Sequence, residues 1–95
     1  MRTLLIATMD VSTSNNAVSD GSLARVVKST MDRIQPEACY FTSFDGCRSC
    51  FMVFDLKDTS DIPSIAEPLF QSMNAKIEFR PVMNAEDLMK GLEKL

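Results

Sequence analysis

Cys47-Arg48-Ser49-Cys50 has the C-x-x-C spacing that elsewhere makes a redox pair or half of a zinc site. Its setting argues against both. Thioredoxin-type cysteines owe their lowered thiol pKa to a helix N-terminus, whereas this pair follows Asp45-Gly46, a turn signal that runs into an extended segment. In an extended chain, residues three apart lie roughly 10 Å apart, beyond the roughly 7 Å Cα limit for a disulfide, and point to opposite faces. Cys47 and Cys50 are therefore expected as free thiols. Cys39 and Cys50 fall on one face and read as core, where cysteine behaves as a small hydrophobe. Three cysteines, an odd number, suit a reducing compartment better than a disulfide framework.

The other chemistry-bearing side chains are Tyr40, Asp55, Glu78 and Arg80, the candidate ligand-binding residues. Glu78 and Arg80, two apart on a strand, share a face where a carboxylate and a guanidinium can orient a small polar ligand. The competing reading is a surface or inter-subunit ion pair, which strands commonly carry. Tyr40 is a possible acid or base. Met9 and Met83, at strand ends, are placed to line a cleft. The chain has no histidine, so the commonest general base, the usual haem ligand and the commonest zinc partner are all missing. No metal and no cofactor are expected.

Positioning these groups requires a sheet. Arg2 to Met9 is apolar on both alternating faces, as a central strand covered on both sides would be. Asp10 to Asn16, rich in Ser, Thr and Asn, reads as a loop. Leu23, Val27, Met31 and Ile34 then recur at helical spacing, predicting an amphipathic helix from about Asn16 to Ile34, with Gly21 allowing a start as late as Ser22; Gln35-Pro36 ends it. Glu37 to Phe44 and Arg48 to Leu56 are strands joined at Asp45-Gly46. Counting outwards pairs Phe44 with Cys47, Thr42 with Ser49, Tyr40 with Phe51 and Ala38 with Val53 on one face. Cys39, Phe41, Cys50, Met52 and Phe54 occupy the other, more apolar face, which is assigned to the helices.

A second helix carries the stripe Ile62, Ile65, Leu69 and Met73, with Pro68 expected to kink or split it. Ala75 to Met83 alternates, with Ile77 and Phe79 towards the helices, and Pro81 puts this last strand at an edge or a bulge. Asn84 caps a final helix with Glu86 and Asp87 in its first turn. The expectation is one α+β domain over residues 1–95, a ferredoxin-like βαββαβ chain with a C-terminal helix and a four-stranded antiparallel sheet. Two helices cover only one sheet face. Tyr40, Phe44, Phe51 and Val53 on the opposite face then form an apolar patch that predicts a homodimer.

A net charge of -3 and a pI near 4.8 argue against a surface built to neutralise phosphates, so nucleic acid is not an expected partner. Arg48 to Phe54 loosely resembles the aromatic central strand of RNA-recognition motifs but lacks their glycines, and the first strand offers no stacking aromatic. No stretch approaches the roughly 20 apolar residues that span a bilayer, and the amino terminus lacks the pattern of a signal peptide. A soluble, cytoplasmic protein without a membrane partner is expected.

The hairpin F-D-G-C-R-S-C-F-M-V-F-D from Phe44 to Asp55, the acidic break K-D-T-S-D, and I-E-F-R-P-V-M-N-A-E-D-L from Ile77 to Leu88 resemble an uncharacterised bacterial family of small proteins in the dimeric α/β-barrel superfamily. The resemblance implies a dimeric α/β-barrel assembly and ligands held between the sheet and the helices or near the dimer seam. Relatives in that superfamily include cofactor-independent monooxygenases, muconolactone isomerases and haem-degrading enzymes. With neither histidine nor tryptophan, this chain lacks the haem ligand and aromatic partners of those enzymes. The sequence thus points to a homodimeric module that binds a small hydrophobic ligand. The alternative is a cofactor-independent enzyme, monooxygenase- or isomerase-like, acting on a small hydrophobic or aromatic substrate through Tyr40, Glu78 or Arg80.

Overall fold

The run Leu4-Leu5-Ile6-Ala7 has no polar side to turn to water, and the chain buries it as an inner strand. The computed structural model describes residues 1–95. Strand β1 (Arg2–Thr8) leads to helices α1 (Val11–Asp20) and α2 (Ser22–Ile34), then strands β2 (Ala38–Phe44) and β3 (Cys47–Asp55), helix α3 (Ile62–Met73), strand β4 (Lys76–Pro81) and helix α4 (Ala85–Glu93). The four strands form one antiparallel sheet in the order β2-β3-β1-β4. The fold is α+β, and its order is compatible with the split βαβ arrangement of ferredoxin-like chains. Pro81 ends an edge strand, as its missing donor requires.

Asp45 and Gly46 adopt φ of 53° and 74°, the left-handed pair of a tight hairpin turn. From that turn the pairs run Phe44↔Cys47, Thr42↔Ser49, Tyr40↔Phe51 and Ala38↔Val53, the register counted from sequence. Leu5, Ala7, Cys50, Met52 and Phe54 face the helices and pack with Ile65, Leu69 and Met73 of α3, Ala17 of α1 and Ile34 of α2. Phe54 and Phe79 meet edge to face at 6.4 Å, a favourable aromatic geometry.

Three expectations need correction. The segment Asp10 to Asn16 is not a loop, because Asp10 caps a helix that starts at Val11. Thr13 donates its backbone N–H and its hydroxyl to Asp10 Oδ2, each at 2.9 Å. Serine hydroxyls along α1 bond back to carbonyls of the preceding turn, Ser14 to Val11 and Ser19 to Asn15, so a composition that favours loops is accommodated inside a helix. Gly21, at φ 80°, then separates α1 from α2, so the first crossover holds two helices instead of one. The helical layer thus contains three helices, all on the same side.

Pro68 does not split α3, which is continuous from Ile62 to Met73. Its ring cannot bond the Ser64 carbonyl, but both residues are exposed and water can satisfy that oxygen. Ile65, Ala66, Leu69 and Met73 hold the other side of the helix in the core. Asn84 caps α4 as expected, and with Asp87 it forms a reciprocal capping box.

The bonds from Thr13, first to its backbone N–H and then to its hydroxyl, hold the Asp10 carboxyl below the usual aspartate range. A carboxyl depressed in the folded state stabilises fully above its unfolded pKa, near 3.9, and loses that contribution as pH falls through the folded value. The melting-temperature advantage of wild type over Asp10→Asn is therefore expected to shrink between about pH 6 and about pH 3. A gap that stays constant across that range would show that the charge of the cap contributes nothing.

Candidate functional site

Along β3 the side chains facing the helices are Arg48, Cys50, Met52 and Phe54, of which the last three are buried. Arg48 is the exception. It lies beside the hairpin turn, at the border of the helical layer, and its guanidinium reaches across to α1. Nη1 donates to Ser14 Oγ and to Asn15 Oδ1, both at 2.8 Å. Ser14 has no exposed surface, so one contact of the guanidinium is anchored in the protein interior. Nε and Nη2 donate to no protein acceptor, and the ion pairs of the chain engage other groups.

Around this group the hairpin and the α1–α2 pair enclose a cleft of about 560 Å³, a size typical of small-molecule sites. Its apolar walls are Met9, Val11, Leu23, Val27 and Phe41. Phe41 is 55% exposed although it points to the helical side. The cleft is the reason, because α2 does not come down onto this end of the hairpin. Chemically, the arrangement offers an apolar slot with one positioned cation at its polar wall, matching a molecule with a hydrophobic body and one anionic group.

The four residues singled out from the sequence lie elsewhere. Tyr40, Asp55, Glu78 and Arg80 all sit on the sheet face opposite the helices, but not as one cluster. Tyr40 is on edge strand β2 and Glu78 and Arg80 on edge strand β4, three strand spacings or roughly 14 Å across the sheet. Glu78 and Arg80 pair with each other at 2.9 Å. Asp55 accepts the amino-terminal ammonium at 2.7 Å, and that bond lowers its pKa. Glu78 borders a second hollow, about 680 Å³, between Phe44 and Lys76 on the open face.

Met9 lines the cleft between sheet and helices; Met83 does not. Sequence reasoning missed Arg48 and Asn15 as site residues. The signal for Arg48 was present in the alternation itself, since it is the one charged position in register with Cys50, Met52 and Phe54. Asn15 carried none once its segment had been read as a loop. No protein-family model matches the chain, and no curated protein matches it.

The cysteines divide as the strand geometry requires. Cys47 belongs to the open-face set, with its thiol donating to the Asp45 carbonyl at 3.6 Å, whereas Cys50 is buried against the helices. Burial, with Cys39 nearby, pushes the Cys50 thiol up to about 11. Burial also raises Cys39. A thiol reagent at neutral pH is expected to modify Cys47 in the native protein and Cys50 only after denaturation, as peptide mapping would show. Equal labelling of Cys47 and Cys50 without denaturant would contradict this packing.

Proposed function

We propose that the protein is a homodimeric small-molecule-binding module, and that its ligand is a small amphipathic acid, aromatic or aliphatic, taken up in the cleft between the hairpin and α1–α2. The observation that carries this reading is Arg48: a guanidinium oriented by Ser14 and Asn15, free of any carboxylate, at the wall of an apolar cleft. An arginine held in place by neutral acceptors keeps its charge available, and its remaining N–H groups suit a carboxylate. Leu23, Val27 and Phe41 supply the apolar contact that a hydrocarbon or ring would seek.

The homodimer rests on the other side of the sheet. Phe51, Val53 and Leu4 are only partly covered there, and Tyr40 and Phe44 stay 70% and 48% exposed. Phe44 and Phe51 pack edge to face at 5.9 Å and present a continuous aromatic surface. The aromatic surface and the Arg48 guanidinium lie on opposite faces of one hairpin.

Thermal shift and NMR titration with octanoate and phenylacetate, each against its neutral amide, test the ligand. The acids are expected to stabilise the protein and to shift the Asn15, Val27 and Phe41 resonances. Arg48→Gln should weaken the acids by about tenfold or more, the scale of one charge-assisted bond, while leaving the amides unchanged. Acids and amides that bind alike, or acids indifferent to Arg48→Gln, would remove the basis of the assignment.

A further inference from the structure

Helix α4 buries none of its residues. Leu88, Met89 and Leu92 are 45%, 59% and 50% exposed and fall on one side of the helix, while Glu86, Asp87, Lys90 and Glu93 fall on the other. A helix with such a stripe normally packs it against a core. This one leaves the body, and the molecule measures 51 × 27 × 17 Å with a radius of gyration of 14.8 Å, against about 12 Å for a compact chain of this length.

Its root is firmly held. Asp87, already in the capping box with Asn84, accepts Arg2 Nη1 at 2.9 Å, and the same guanidinium donates through Nε to Glu37 at 2.9 Å. Val82 N–H donates to the Arg2 carbonyl at 3.1 Å, so the connector from β4 has no slack. Arg2 alternates with Leu4 and Ile6, which places its side chain on the open sheet face. Helix α4 therefore starts at the rim of the uncovered face and projects outward.

We propose that α4 is an exchanged arm: in the homodimer each copy lays Leu88, Met89 and Leu92 on the second copy of the chain. The inference rests on the sheet-face dimer proposed above and adds the element that completes it. Two observations favour a second copy as the occupant. Anything seated on the open face meets α4 at its rim, and a two-fold pairing uses both uncovered apolar surfaces of each chain in one closed assembly. Area points the same way. Four strands about 4.8 Å apart and about 23 Å long give a footprint of roughly 450 Å², well short of the roughly 800 Å² per partner of a stable interface. A helix face about 13 Å long and the patch it covers, contributed by both copies, supply much of the difference.

Light scattering across a dilution series, on wild type, Leu92→Glu, Phe51→Glu and Lys94→Glu, tests the arm. Wild type and Lys94→Glu, whose change lies away from the apolar stripe, are expected at about twice the 10.6 kDa chain mass. Leu92→Glu should raise the dimer dissociation constant at least about tenfold, since two leucines leave the interface. Its thermal melt as a monomer should match wild type at the same dilution, because α4 adds nothing to the core. Amide exchange from Leu88 to Leu92 should slow as wild type dimerises. If Leu92→Glu keeps the wild-type dissociation constant while Phe51→Glu is monomeric, the sheet dimer stands and the arm is refuted. If wild type is monomeric, both fail; a monomer that co-sediments with phosphatidylglycerol vesicles would give the stripe to a lipid surface instead.

Discussion

Placing all helical crossovers on one side of the sheet is the constraint from which the rest follows. Each crossover joins parallel strands separated by one neighbour: β1 to β2 across β3, and β3 to β4 across β1. Such connections share a right-handed preference, so both deliver their helices to the same face. Ala7, Leu5 and Phe54 become interior on that side, while on the other Tyr40 stays exposed and Phe51 and Val53 are only partly covered. Helix α4 starts at the rim of that face, tied there through Asp87 to Arg2, but it buries none of its own residues and leaves the face open.

Arg2 has a role out of proportion to its place at the start of the chain. It ties the entrance of β2, through Glu37, to the first turn of α4, through Asp87, across the end of the sheet. Both ion pairs are partly exposed, so each contributes modestly to stability. Their value is geometric. Bonds from one planar guanidinium to carboxylates of two different elements fix an angle that a flexible ammonium would not.

The strands were legible because their signals are local. Asp45-Gly46 admits few turn geometries, and once that turn is tight every pair from Phe44↔Cys47 to Ala38↔Val53 follows by counting. Helix α1 was not legible from composition, since Ser12, Thr13, Ser14, Asn15 and Asn16 are poor helix formers taken singly. The Asp10 cap and the anchoring of Ala17 and Ser14 against the sheet decide that segment, and the second is a tertiary fact. Pro68 does not split α3 for a related reason: burial of Leu69 and Ile65 outweighs one missing bond on a wet face. The cleft was hidden because it depends on where α2 ends its approach to the hairpin, which no spacing records.

The hairpin is also where the two surfaces meet. Its odd and even positions serve different faces: Phe41 and Arg48 look into the cleft, while Tyr40, Phe44 and Phe51 form the open sheet face. A one-residue slip between β2 and β3 would exchange the sets, bringing Tyr40 to the helices and Phe41 to the open side. The positive φ angles of Asp45 and Gly46 forbid that slip by fixing a two-residue turn. A single turn thus sets both the polarity of the cleft and the composition of the uncovered face.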